Sequence, residues 1–184
     1  MEPKVCPVWV GYLLLNPLRK LVENPRTLFM PYVREGMTVL EPGCGPGFFT
    51  LPLAKMVGSD GRVVVVDLQQ KMLDILRTRA QNAGLENRID YRLADSKGMG
   101  IADLAETVDM AVAMHMVHEV PGQEVFFSEV HSALKPGGRF LIVEPRGHTS
   151  KDDFSAYLDM TSRMGFKVDD TYVTFMSRGA MLTK

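Results

Sequence analysis

Only two cysteines, Cys6 and Cys44, occur in the 184 residues, and neither lies in a Cys-x-x-Cys or Cys/His spacing that would build a zinc site. No metal is expected, and so few thiols suit a reducing, cytoplasmic setting. An excess of charge is also lacking. Twenty-one Lys and Arg against 22 Asp and Glu leave a formal net charge of −1, which offers no general attraction to phosphate or anionic lipid. Nucleic acid and membrane are therefore not expected partners. Long apolar runs are missing too: Val63–Val66 and Leu13–Leu15 fall far short of the roughly 20 residues that cross a bilayer. The first apolar stretch breaks at Pro17 without a small-residue cleavage pattern, so secretion is not expected. No internal repeat or low-complexity linker interrupts the chain. One domain over 1–184 is expected, with a helical extension over 1–36 and a core over 37–184.

What is present is an alternation of short β-prone runs with helix-period segments. Thr38–Glu41, Val63–Asp67, Ile89–Leu93, Val108–Ala113 and Arg139–Glu144 have the near-continuous apolar character of strands covered on both faces. Met72, Ile75, Leu76 and Ala80 share a helical face, as do Phe127, Val130 and Leu134, and then Phe154, Tyr157 and Leu158. The pattern predicts an α/β fold, a doubly wound, mostly parallel sheet with helices on both faces. Asn16-Pro17 and Asn24-Pro25 each place a capping residue before a proline suited to the first helical turn. Lys135-Pro136-Gly137-Gly138 should end a helix and turn into a strand. Phe166–Thr171 and Val173–Leu182 are separated by too few residues for a parallel crossover, which predicts a closing antiparallel hairpin.

The strongest chemical signal is Val39-Leu40-Glu41-Pro42-Gly43-Cys44-Gly45-Pro46-Gly47, a strand that runs into a glycine-rich turn before a helix holding Leu53, Ala54 and Val57. Without Cβ atoms at Gly43, Gly45 and Gly47 the backbone can turn sharply and approach a ligand closely. A nicotinamide dinucleotide fingerprint counted from Gly43 needs a third glycine at position 48, which is Phe48; a nucleotide-dependent oxidoreductase is disfavoured. An acidic residue two before the first glycine suits a cationic amino acid moiety, which Glu41 can attract. Asp67 ends the next strand, where a carboxylate can accept hydrogen bonds from ribose hydroxyls. Asp95 and Ser96 follow the third strand and can receive an adenine amino group, while Leu68 and Met72 can pack on a nucleoside. Each has a plainer alternative: a tight βα turn, solvated helix caps, and core packing.

In this order, Glu41–Gly47, Asp67-Leu68, Asp95-Ser96 and Leu134-Lys135-Pro136-Gly137-Gly138-Arg139 resemble the motifs of class I methyltransferases dependent on S-adenosylmethionine. The resemblance covers roughly Met37–Lys184. It implies a seven-stranded sheet whose last two strands form the hairpin. It also implies S-adenosylmethionine as cofactor, held by Glu41, Gly43, Cys44, Gly45, Gly47, Asp67, Leu68, Met72, Asp95 and Ser96. Within the class the chain resembles small-molecule enzymes of the ubiquinone-biosynthesis and arsenite-methylating type. Arsenite requires clustered soft thiolates, and Cys6 and Cys44 do not supply them. The Asp/Asn-Pro-Pro-aromatic motif of enzymes that methylate amino groups in nucleic acid is missing after the fourth strand.

That position holds Met114-His115-Met116-Val117-His118-Glu119-Val120-Pro121. In open α/β sheets ligands bind beyond the carboxyl ends of strands, and His115, His118 and Glu119 can orient or deprotonate an acceptor. Their His-x-x-His-Glu order is not that of helical zinc proteases. Histidines that merely satisfy backbone groups are the plain alternative. His148, with Arg146, is a weaker candidate of the same kind. Trp9, Tyr12 and Phe29 can form a lid that shields a sulfonium, or cover a sheet edge. The expected function is methyl transfer to a small-molecule acceptor; the alternative is a noncatalytic cofactor-binding module serving a partner protein.

Overall fold

The computed structural model describes residues 23–95 and 98–184. Cys6, Trp9, Tyr12, the Asn16-Pro17 pair and Ser96 lie outside the described residues. Seven strands, β1 (Thr38–Pro42), β2 (Arg62–Asp67), β3 (Ile89–Leu93), β4 (Val108–Met114), β5 (Leu134–Pro145), β6 (Lys167–Val173) and β7 (Ser177–Thr183), form a sheet in the order β3-β2-β1-β4-β5-β7-β6, and the chain clusters into two compact units that divide after Gly100.

In the unit that ends at Gly100, β1 (Thr38–Pro42), β2 (Arg62–Asp67) and β3 (Ile89–Leu93) pair in parallel. Val39, Leu40, Val63, Val64 and Val65 are completely buried, as β-branched and aliphatic side chains must be in a sheet covered on both faces. Helix α1 (Pro25–Phe29) starts where expected: the Asn24 side chain accepts the Arg26 N–H at 3.0 Å, with proline in the first turn. Helix α2 (Thr50–Met56) buries Leu53 and Ala54. Helix α3 (Gln70–Asn82) buries Met72, Leu73, Leu76 and Ala80. Its inward stripe is rotated from the predicted one: Leu73 is in the core and Ile75 only half-buried.

In the unit over Ile101–Lys184, β4 (Val108–Met114) lies parallel to β5 (Leu134–Pro145). β7 (Ser177–Thr183) is antiparallel to both β5 and β6 (Lys167–Val173). Helix α4 (Gln123–Ala133) buries Phe126, Phe127, Val130 and Ala133. Helix α5 (Lys151–Arg163) opens on a capping box in which the Ser150 hydroxyl accepts the Asp153 N–H at 3.0 Å and Asp153 accepts the Ser150 N–H at 3.1 Å. Phe140 and Phe166 pack with ring centroids 5.7 Å apart, tying the helix-covered face to the closing hairpin.

Two expected boundaries are corrected. Leu134 joins the ladder opposite Val108 instead of ending the helical stripe, and the next pair is Met110 with Arg139. Lys135–Gly138 therefore loop out of a strand that has already begun, because Pro136 has no N–H to give and Gly137 sits at φ +76°. Val173 belongs to β6, not to the last strand. Thr174 stops the run by accepting the Ser177 N–H on its hydroxyl at 2.9 Å and donating its own N–H to the Ser177 carbonyl at 2.8 Å. Those bonds close a tip that β-propensity alone does not reveal.

Candidate active site

The turn after β1 is anchored by backbone and then shaped by glycine. Gly43 and Cys44 N–H groups donate to the Val66 carbonyl at 2.7 and 3.3 Å, and the Gly47 N–H donates to the Cys44 carbonyl at 3.1 Å. A Cβ at Gly47, where φ is +85°, would come within 2.2 Å of Leu76 Cδ1, so this glycine lets α3 pack against the loop. Arg79 on α3 also donates to the Pro46 carbonyl. Gly45 differs: at φ +50°, none of the described residues apart from its chain neighbours lies within 4 Å of where its Cβ would be. The loop is braced from one side and open at Gly45.

Asp67 joins this turn to the end of β2. Its Oδ2 accepts the Gly45 N–H and its Oδ1 accepts the Gln69 N–H, each at 2.9 Å. Burial raises its carboxyl above the ordinary 3.8, and the N–H groups of Gln69 and Gly45 pull it back. A carboxylate offers about four lone-pair sites, so with the N–H groups of Gln69, Gly45 and Leu68 on it capacity remains for a further donor such as a sugar hydroxyl. Leu68 beside it is 44% exposed and free to cover a flat ligand, whereas Met72 is 2% exposed and is core. Asp95 is exposed, and its N–H donates to the Gly98 carbonyl at 3.2 Å.

Glu41 is the most unusual group of the first unit. It is 2% exposed, and among the described residues neither its Oε2 nor the Thr50 hydroxyl makes a properly formed hydrogen bond. Burial pushes its carboxyl up to about 8, with the Thr50 hydroxyl offsetting this in part and the Asp67 charge adding to it. Cys44, 5% exposed, is held well above the usual thiol range by the same burial and by the charges of Glu41 and Asp67; it is an inert packing thiol. A buried carboxyl with an unspent acceptor ordinarily costs stability. A ligand with a cationic amino acid end would satisfy it. The open turn at Gly45 and the spare lone pairs of Asp67 suit a ribose in the same way.

In the second unit, β4 ends at Met114 and His115 leaves it at φ +59°, donating its N–H to the Val143 carbonyl at 2.7 Å. Positive φ at a non-glycine residue is held only where surrounding structure enforces it. A 3₁₀ turn over Val117–Glu119 follows. His118 Nδ1 lies 2.5 Å from Glu144 Oε2, and His118 Nε2 lies 3.9 Å from Glu119 Oε1. Glu144, wholly buried at the end of β5, accepts the Val117 N–H at 2.9 Å, the His118 N–H at 3.3 Å and the Thr149 hydroxyl at 2.9 Å. The exposed His148 ring is centred 5.1 Å from that of His118. The Glu144 hydrogen bond raises the His118 imidazole above its usual 6.5 against the opposing effect of burial. Burial alone would raise the Glu144 carboxyl, but His118, the Val117 N–H and the Thr149 hydroxyl outweigh it and hold it below 4.5.

The structure thus brings His118 and Glu119 together and adds two partners the sequence did not disclose, Glu144 and Thr149. The available signal for Glu144 was its place as an acidic residue one short of the end of an apolar strand, as Glu41 is in β1, while Asp67 ends β2. Among the described residues no helix is long and apolar enough to cross a membrane, and no group of three or more His, Cys, Asp or Glu is placed to hold a metal ion.

Residues 39–138 match the family model described as a methyltransferase domain. A ubiquinone/menaquinone biosynthesis C-methyltransferase, UbiE, of Enterobacter sp. (strain 638) is 33% identical over 112 residues, 61% of this chain and 44% of that protein. The matched stretch therefore spans less than half the length of that relative. A methyltransferase described as SAM dependent from Aquifex aeolicus superposes with a TM-score of 0.85 at 22% identity, covering 97% of this chain and 99% of that one. An O-methyltransferase described as SAM-dependent from Thermotoga maritima gives 0.69 at 19% identity, covering 93% and 71%. The fold is shared while the named acceptor atom differs between relatives, as expected where chemistry resides in grafted sites. With its strand order, its glycine-rich turn after β1 and more than half of its length matched by one family model, this chain belongs to the methyltransferase-domain family.

Proposed function

We propose that the protein transfers the methyl group of S-adenosylmethionine to a small-molecule acceptor. The observation that carries the cofactor assignment is the buried, unsatisfied Glu41 carboxyl beside a glycine turn whose Gly45 is open and tied to Asp67. In this reading Glu41 meets the cationic amino acid end, and the Gly43–Gly47 turn with Cys44 lies against the donor. Asp67 takes the ribose, and Leu68 and Asp95 border the nucleoside. The bound cofactor supplies an electrophilic methyl carbon on a sulfonium. The residues of the chain have only to align, dry and deprotonate around it, and alignment alone is worth roughly 7–11 kcal/mol. His118, Glu119 and His115 are assigned to the acceptor. The formal net charge of −1 supports a small acceptor over a nucleic acid, and the named product class of the UbiE relatives agrees with it.

Protein incubated with methyl-labelled donor and a fractionated metabolite extract should place label in the low-molecular-weight fraction, and not in a Gly43/Gly45 double valine variant. Label confined to protein or nucleic acid would overturn the acceptor reading. A second expectation concerns Glu41. Because burial holds its carboxyl at about 8, the protein keeps a proton there at pH 7 until a cation is set against it. Donor calorimetry in buffers of different ionisation enthalpy should show release of about one proton near pH 7, lost in Glu41→Gln. Heats independent of buffer in the wild type would remove Glu41 from the cationic end of the donor.

A further inference from the structure

We infer that Glu144 is a positioning residue that holds His118 as a base aimed at the acceptor, and that the acceptor is one that loses a proton from oxygen or carbon as it is methylated. This rests on the methyl-transfer reading above. Three observations carry it. The 2.5 Å contact from Nδ1 to Glu144 Oε2 places the ring hydrogen on Nδ1, so the free lone pair belongs to Nε2. Nε2 is 3.9 Å from Glu119 Oε1, beyond hydrogen-bond range. Glu144 cannot be the base itself. It is wholly buried, and its oxygens already accept from the Val117 N–H, the His118 N–H, the Thr149 hydroxyl and the His118 ring.

Val117 donates to Oε1 while Thr149 and His118 converge on Oε2, so a glutamine, with one acceptor oxygen, could serve only one side; the carboxylate serves both and also favours an imidazole that becomes charged. Of the groups around His118, the two carboxylates share that bias and burial opposes it. Glu144 and Glu119 both favour its protonated form, and exposed His148 is centred 5.1 Å away. Tyr157 is linked through Gln123, whose amide donates to the Tyr157 hydroxyl and the Val117 carbonyl, each at 3.2 Å. The arrangement is a base oriented by a buried carboxylate, as in other His/acid pairs.

His118 Nε2 takes the proton of an acceptor O–H or C–H. The freed electron pair bonds to the methyl carbon, the carbon–sulfur bond breaks, and its pair stays on sulfur, which becomes a neutral thioether. The imidazolium that results faces Glu144. A thiolate or an unprotonated amine would need no such base, which is why the pair points to phenols, enols and carbon acids.

The test combines spectroscopy with transfer. Ring-nitrogen NMR of the intact wild-type protein should show His118 with hydrogen on Nδ1 and titrating above 6.5; an Nε2–H tautomer overturns the inference without any variant. In Glu144→Gln the His118 titration and the acid limb of the rate should both move down by about one pH unit or more. Turnover should fall by about 10- to 10⁴-fold, the upper end being the cost of a lost tautomer in a protease triad, while donor affinity is unchanged. Limbs that do not move would show that Glu144 is only structural. If that variant does not fold, Thr149→Val, which removes one donor to Oε2, should move the titration upward by a smaller amount, and no movement counts against the pair. With catechol, acetylacetone, 2-mercaptoethanol and a secondary amine offered alongside labelled donor, methyl should appear on catechol or acetylacetone. Transfer confined to the thiol or the amine overturns the base but leaves small-molecule methylation standing. Transfer to none of them, with label only in a polymer fraction, defeats both readings.

Discussion

Replacing His118 by alanine should lower turnover by about 10²–10⁴-fold, the contribution of a well-placed general base, and leave donor affinity untouched. A group that acts on the acceptor only in the transition state changes turnover and not donor binding. The sign of the pH dependence follows from the raised imidazole. Only the unprotonated ring can accept a proton, and Glu144 holds the ring protonated to higher pH than an ordinary histidine. Turnover should therefore climb through a range above 6.5 and be lost as pH falls. Single-turnover kinetics at saturating donor measure this directly. A loss below tenfold with no pH dependence would leave proximity as the whole catalytic account.

The same pair makes a statement about stability. His118, with its folded value raised, contributes stability that is complete below 6.5 and lost as pH rises through the raised value. Glu144, with its folded value lowered, contributes stability that is complete above 4.5 and lost as pH falls through the lowered value. Both contributions coincide between 4.5 and 6.5. Turnover and the stability of this pair should consequently have different optima, the site working best where its own ion pair is being given up.

Asp67→Ala should weaken binding of S-adenosylmethionine and of its demethylated product by about 1.5–3 kcal/mol, the range for hydrogen bonds to a charged group. That is roughly a 10- to 150-fold rise in Kd. Calorimetry on the two ligands reads it. Asp67 also receives the Gly45 and Gln69 N–H groups, so its loss loosens the turn as well as the ribose contact. Asp67→Asn keeps one acceptor oxygen and should fall between wild type and alanine. Wild-type affinity in a folded alanine variant would assign Asp67 to the turn alone.

Much of the fold was legible because its signals are local. Four-valine β2 and the aliphatic centre of β4 announce strands buried on both faces. Asn24 before Pro25 marks a helix start through a bond two residues long, and short spacing alone dictates an antiparallel return for β6 and β7. The misplacements also have local causes. Leu134 suits a helix face and a strand equally, and Val173 continues β-propensity into a tip that side-chain bonds of Thr174 close. Ile75 and Leu73 are both apolar, so which one turned inward depended on how α3 sat on its neighbours.

For the site, the division is between spacing and encounter. The glycine turn and Asp67 could be read from the chain because each role is set by backbone conformation at a strand end, and the roles succeed one another in order. Even the link between them, Gly45 to Asp67, spans neighbouring strands of one parallel unit. What Glu41 lacks was not legible, since a missing hydrogen bond is a property of packing around a side chain and not of its neighbours in sequence. Nor was the partner of His118. Glu144 is 26 residues away, and only the pairing of β4 with β5 in parallel register carries their ends to one place. The sequence by itself determined the strands, the turn and the acidic strand ends, because those follow from residue type and short-range geometry. The tertiary structure alone decided that one buried carboxyl is left unsatisfied and another is spent on a histidine, because burial and side-chain pairing exist only after distant segments have closed on each other.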